Sequence, residues 1–256
     1  RYDELIQLAY DNNMNIFRMW GGQYINHEHF YDKCDEVGIM VWQEFVLACN
    51  NYVGTPKYLA VLEQEATAAI KELRRHPSII MWCGGNELFN DWSNMDDQSH
   101  ALRLLNKLCY ELDFERPYIM TSPLQGMLHG CYVFEFEGQQ VFQMFQNAKG
   151  TAYSEFGVPS AANIENLKKI IPEDELFPIE KSKSWVYHHG FKAWSEERWL
   201  CMDIFRKYFG EPSCLEDVVE GTQWMQCEGY KAIFEEARRQ WPYCSMAVNW
   251  CYNEPW

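Results

Sequence analysis

The chain has 256 residues, a size that suits one large domain or one α/β barrel. A hydrophobic share of 47% is ordinary for a globular core, and a net charge of -15 with no offsetting basic patch argues against nucleic acid and anionic membrane as partners. Aromatics at 16%, with 11 Trp, fit both a large core and the stacking of flat rings on the apolar faces of sugars.

Residues 1–12 have helical spacing, with Leu5, Ile6, Leu8 and Ala9 on one side. A strand over 14–20 stops at Gly21-Gly22. A helix over 27–37 ends on Gly38, and a strand over 39–45 follows. Thr55 and Pro56 form an N-cap and first-turn pair. They open a long helix carrying Leu59, Leu62, Ala66, Ala69, Ile70 and Leu73 on one face, ended by His76-Pro77. The short apolar run 78–83 reads as a strand buried on both faces. It continues directly into Gly84-Gly85-Asn86-Glu87. Glycines there let the backbone turn sharply, and a (β/α)₈ barrel keeps its catalytic groups at such C-terminal strand ends.

The alternation goes on. Leu102, Leu105, Leu108 and Leu112 stripe a helix that ends near Asp113, strands are expected over 116–121 and 130–136, and a helix over 139–147. A strand over 150–155 closes on Ser154-Glu155-Phe156-Gly157. The region 159–241 is long, helical and aromatic-rich, and a last strand is expected over 244–251. Strands alternating with helices predict parallel βαβ units. Two Glu residues, each closing a short strand, are the groups needed to cleave a glycosidic bond.

The 10 cysteines contain no C-x-x-C pair, and Cys83, Cys109, Cys244 and Cys251 fall inside expected strands or helices. Free buried thiols explain them better than a disulfide framework or a zinc site, which tilts the reading toward a reducing compartment. His27-x-His29 has metal-like spacing but opens a helix without nearby partners, so no metal and no cofactor is expected. No apolar run approaches the ~18 residues of a membrane span. Any targeting segment would lie outside this chain, which leaves cytoplasm and periplasm both open.

The strings Asn12-Asn13-Met14-Asn15, Arg18-Met19-Trp20-Gly21-Gly22, Phe30-Tyr31-Asp32-Lys33-Cys34-Asp35-Glu36-Val37-Gly38 and Val41-Trp42-Gln43-Glu44-Phe45 together resemble the catalytic barrel of glycoside hydrolase family 2. The β-mannosidase-like branch is the nearest. Trp82-Cys83-Gly84-Gly85-Asn86-Glu87 is similar to that family's acid/base strand, Tyr153-Ser154-Glu155-Phe156-Gly157 to its nucleophile strand, and Asn249-Trp250-Cys251-Tyr252-Asn253-Glu254-Pro255-Trp256 to its last strand. The likeness covers nearly the whole chain. It implies an α/β fold, a (β/α)₈ TIM barrel. Seven strands are counted, so the first strand would be lacking from this chain and lie before Arg1. Residues 1–256 would form a catalytic barrel domain of a larger protein with flanking β-sandwich domains.

The resemblance also implies roles. Glu87 is the acid, later the base, and Glu155 the nucleophile of a retaining exo-glycosidase acting on a carbohydrate, most closely a β-mannoside. Retention needs the two carboxyls about 5–5.5 Å apart. By the same analogy Arg18 holds Glu155 ionised, Asn86 donates to the sugar 2-hydroxyl, and Trp250 floors the sugar subsite. Trp92, His129, Tyr132 and Trp42 are candidate substrate-binding residues, each with packing as the alternative; Glu44 is similarly placed and Glu254 reads as structural. The segment Leu88-Phe89-Asn90-Asp91-Trp92 and the region 159–241 depart from the family's usual wording, on the aglycone side. The alternatives are the same chemistry on β-galactosides, β-glucuronides or β-glucosaminides, or a non-catalytic carbohydrate-binding barrel. Retention of both acids in the sequence speaks against the last.

Overall fold

The expected alternation begins at the first residues, and in the first sheet it places each parallel strand next to its predecessor. The computed structural model describes residues 1–188 and 200–253. The chain divides into two units, Arg1–Met127 and Leu128–Trp256. The first runs α1 (Tyr2–Asp11), β1 (Ile16–Met19), α2 (Glu28–Val37), β2 (Met40–Glu44), α3 (Pro56–Leu73), β3 (Ile79–Cys83), α4 (His100–Leu112) and β4 (Tyr118–Ile119). Its strands form one parallel sheet in the order β1-β2-β3-β4. Helices between the strands make this possible, since a parallel partner needs a crossover of a dozen or more residues.

Local signals set the helix boundaries. The Thr55 hydroxyl accepts from the Tyr58 amide and Pro56 opens α3, which buries Leu62, Ala66, Ala69, Ile70 and Leu73. Gly38 caps α2 in the left-handed conformation, as the sequence predicts. β2 is an inner strand, and Val41, Trp42, Gln43 and Glu44 are all buried. That explains its lack of apolar/polar alternation. Trp82 on β3 is fully buried, stacks on Phe45 and donates its indole N–H to Asp113 at 2.8 Å. Arg116 pairs with the same carboxylate.

The two glycines after β3 are required by close approach. A Cβ on Gly84 would lie 2.2 Å from the Met120 carbonyl oxygen, and one on Gly85 2.2 Å from that of Leu47. Asn86 then bridges in parallel to Ala48 on one side and to Ser122 on the other.

The second unit contains β5 (Met127–His129), β6 (Glu135–Phe136), β7 (Gln139–Gln140), α5 (Val141–Asn147), β8 (Ala152–Phe156), α6 (Ile164–Ile170), α7 (Lys183–Tyr187), α8 (Met202–Phe209), α9 (Leu215–Arg239) and β9 (Ala247–Asn249). Its main sheet has the order β5-β8-β9, with β8 and β9 parallel. The region 159–241 is helical as expected, apart from 189–199, which lie outside the described residues. Its helices α6, α8 and α9 bury Leu167, Phe205, Val218, Met225 and Ile233 in one cluster with Phe156. Among the described residues no helix is long and apolar enough to cross a membrane.

One strand differs from expectation. Instead of a strand over 130–136, the sheet strand is Met127–His129, and Glu135–Phe136 forms an antiparallel hairpin with Gln139–Gln140. The two turn residues explain it: Glu137 and Gly138 both have positive φ, 50° and 77°. A two-residue hairpin turn of the primed type needs positive φ at both positions.

The hairpin is fastened by charge. The Glu135 carboxylate accepts from the Lys207 ammonium at 2.5 Å and the Tyr208 hydroxyl at 2.7 Å, both on α8. These two bonds, Lys207 first, hold the Glu135 carboxyl below the ordinary carboxylate range, and Glu135 in turn raises Lys207. A carboxyl whose folded pKa is depressed contributes stability that is present above its unfolded value and is lost as pH falls through the folded one. Glu135→Gln should therefore be less stable than the parent protein at pH 7. The gap should close as pH drops below about 4, where an unfolded Glu titrates. Urea denaturation of both proteins across pH 7 to 3 checks this, and a gap independent of pH would contradict it.

Candidate functional site

In the first unit the C-terminal ends of β1, β2 and β3 bring together Arg18, Trp42, Glu44, Asn86 and Glu87. Parallel register places them: Arg18 sits beside Trp42, and Glu44 beside Cys83, three residues before Asn86. Arg18 and Glu44 form a buried ion pair at 2.8 Å, with 3% and 0% of their side chains exposed. The second Glu44 oxygen accepts from the Gly21 amide at 2.7 Å. Arg18 also donates to the Asn86 side-chain oxygen, and its guanidinium lies 5.7 Å from the centre of the Trp42 ring. Trp42 is fully buried beneath it.

The Asn86 amide nitrogen donates to the Cys49 sulfur at 3.2 Å, and that sulfur lies 3.5 Å from Glu87 Oε2. Glu87 takes positive φ, 52°, and its backbone N–H donates to the Ser122 carbonyl at 2.7 Å. A non-glycine residue in this region is uncommon and recurs at functional sites. Trp92, five residues on, is exposed at 63%. The intervening loop is tied back by the Ser93 hydroxyl, which donates to the Glu87 carbonyl at 2.7 Å.

In the second unit Glu155 lies on β8, a strand buried along its whole length. The Tyr132 hydroxyl donates to its Oε1, and His129 Nδ1 stands 3.7 Å from its Oε2. The Glu155 carbonyl accepts from the Gly130 amide at 2.9 Å. Trp250 follows β9 half-buried, and its backbone N–H donates to the Phe156 carbonyl. Three residues read separately in the sequence, His129, Tyr132 and Glu155, are thus one cluster. Glu254 lies outside the described residues.

His29 pairs with Asp3 at 2.8 Å. A grouping that the sequence did not suggest places ligand atoms of Glu28, Asp32 and His76 within 4.8 Å of one another. It sits at the opposite ends of the strands, before β3. His76 is already bonded to Asp35 at 2.7 Å and Glu28 is paired with Arg75, so the group reads as packing of α2 against the α3–β3 connection.

Sequence reasoning passed over Cys49. The available signal was its position, since a residue in the loop just after a barrel strand belongs to the same end as Glu87.

A sequence model described as "Glycosyl hydrolases family 2, TIM barrel domain" matches residues 3–160. The chain is 30% identical over its whole length to Beta-mannosidase B of Thermothelomyces thermophilus and covers 34% of that protein. The chain thus spans about a third of the length of the curated relatives it matches. Its structure matches the beta-D-mannosidase of Dictyoglomus thermophilum with a TM-score of 0.87 at 29% identity, covering 99% of this chain and 33% of that one. The exo-chitosanase of Amycolatopsis orientalis, at 17% identity and a TM-score of 0.73, shares the fold across 100% of this chain and 32% of its own.

The buried pair generates a stability prediction. Glu44→Leu strips a buried Arg18 of its counter-charge, which should cost ~3–5 kcal/mol. The double change Arg18→Leu with Glu44→Leu should cost less than Glu44→Leu alone, because it removes both members of the buried pair. Chemical denaturation of the single and double variants tests this; additive losses would refute the pairing.

Proposed function

Because this chain belongs to family 2 of the glycosyl hydrolases through their TIM barrel domain, we propose that it hydrolyses terminal β-mannosides with retention of configuration. One observation carries the choice of sugar. Over its full length the chain is similar to β-mannosidases, at 30% identity to one in sequence and with a TM-score of 0.87 to another in structure. The reading takes residues 1–256 as a catalytic domain that works within a longer protein with flanking β-sandwich domains.

Glu155 is the nucleophile. Its carboxylate attacks the anomeric carbon and forms a covalent glycosyl ester, which water then hydrolyses. The Tyr132 hydroxyl on one oxygen and His129 beside the other support this role by orienting the carboxylate. Glu87 is the acid that protonates the leaving oxygen, and in the second step the base that takes a proton from water. Asn86, clamped by Arg18, presents its amide to the sugar 2-hydroxyl, a contact that strengthens in the transition state. Arg18 acts on Asn86 here, and its sequence-inferred role toward Glu155 stays part of the proposal. Trp250 and Trp92 supply aromatic faces to the substrate.

Two experiments on the longer protein test the assignment. Glu155→Ala should lose nearly all turnover of 4-nitrophenyl β-mannoside. Added azide should restore part of it, as a glycosyl azide of inverted configuration; full activity without azide would remove Glu155 from the role. Among 4-nitrophenyl glycosides, preference for a galactoside, glucuronide or glucosaminide would overturn the sugar.

Protonation matters most where the leaving group is poor. Glu87→Ala should therefore slow hydrolysis of an alkyl β-mannoside far more than that of the 2,4-dinitrophenyl one. Equal losses would make Glu87 structural.

A further inference from the structure

Two non-glycine residues with left-handed backbone meet at the strand ends of the first unit. Cys49, in the segment after β2, has φ 49°, and Glu87, in the segment after β3, has φ 52°. They meet through their side chains, with Cys49 Sγ 3.5 Å from Glu87 Oε2. Cys49 is tied to Asn86 twice as well. Its backbone N–H donates to the Asn86 carbonyl at 2.9 Å, and its sulfur accepts from the Asn86 amide at 3.2 Å.

The direction of these bonds follows from Arg18. Arg18 donates only, so the Asn86 atom it contacts is the carbonyl oxygen, and the NH₂ is the atom aimed at sulfur. A sulfur that accepts from Asn86 is left with its own S–H to donate. Glu87 Oε2 is an acceptor within reach, at 3.5 Å. The chain of donors therefore runs from Arg18 through Asn86 and Cys49 to Glu87.

We propose that Cys49 is a positioning residue for Glu87, holding Oε2 so that Oε1 carries the proton that is transferred. The proposal rests on the reading of Glu87 as the acid/base. In the protonated acid, Oε2 is the carbonyl-like oxygen and accepts the S–H, which leaves Oε1–H to face the leaving oxygen. As the glycosidic bond breaks, the proton moves from Oε1 to that oxygen and Glu87 becomes a carboxylate. The same S–H then donates to a charged acceptor, where a hydrogen bond is stronger. Proton release is favoured without any charge being added. A weak donor suits a group that must take a proton back in the second step, whereas a lysine at this position would hold Glu87 ionised.

The test compares the longer protein with its Cys49→Ala and Cys49→Ser variants, on methyl and 2,4-dinitrophenyl β-mannoside. Cys49→Ala should lower kcat/KM roughly 10-fold on the methyl glycoside, the order expected for one hydrogen bond to a charged group, and far less on the activated one. Its alkaline limb should move to higher pH, because the donor that favours ionised Glu87 is gone. Cys49→Ser keeps a hydroxyl donor and should recover most of the rate and of the limb. A Tm close to the parent's shows that the variants are folded. Equal losses on both glycosides with an unmoved limb would overturn the proposal. Glu87→Ala, measured alongside, separates the two readings. If it loses equally on both glycosides, the acid assignment falls and the role of Cys49 with it. If Glu87→Ala is selective and Cys49→Ala is not, only the Cys49 proposal falls.

Discussion

The buried ion pair between Arg18 and Glu44 is the constraint on which the strand ends of the first unit depend. Taking each charge out of water costs several kcal/mol, and the pair persists only where the geometry is good and the remaining donors and acceptors are used. Both conditions hold here. Glu44 is bonded through one oxygen to Arg18 and through the other to the Gly21 amide, and Arg18 extends to Asn86. Three parallel strands are thereby locked at one end by side chains as well as by their ladders. The side-chain amide of Asn86 is fixed between Arg18 and the Cys49 sulfur.

That fixed end supports strained backbone. Non-glycine residues in the left-handed region cost on the order of 1–3 kcal/mol each, and Cys49 and Glu87 sit there side by side. The strain is held by bonds on both flanks: Asn86 N–H to Leu47 oxygen, Cys49 N–H to Asn86 oxygen, and Glu87 N–H to Ser122 oxygen. Gly84 and Gly85 let these backbones approach without a Cβ in the way. The outcome is a Glu87 main chain fixed on both sides, with the Cys49 thiol reaching one oxygen of its carboxylate.

The second carboxylate is held in another manner. Glu155 belongs to a fully buried strand, in ordinary extended backbone, and its head is placed by neighbouring side chains, Tyr132 and His129. The surrounding unit is stiffened by α9, whose Gln226 and Gln223 donate to the carbonyls of Val158 and Ala161 just past β8. Glu87 thus stands on left-handed backbone, whereas Glu155 stands on extended backbone and is held by packing.

Much of this was legible in the sequence. Periodicity, the Thr55-Pro56 cap and the Gly38 stop located α1, α2, β1 to β3, the start of α3 and the end of α4 within a residue or two, because each signal acts on its own few residues. The strings around Glu87 and Glu155 marked both acids for the same reason. The strand expected over 130–136 was not found there, since its Glu137-Gly138 turn depends on dihedral angles that composition only hints at. Contacts between distant segments were illegible. Nothing in the sequence says that Arg18 reaches Glu44 and Asn86, that Tyr132 bonds Glu155, or that the Cys49 thiol comes to rest on Glu87. Sequence by itself determined the family, the candidate residues and most of the elements that bear them. Tertiary structure alone decided their partners, because strand register and close backbone approach join residues 23 to 68 positions apart in the chain.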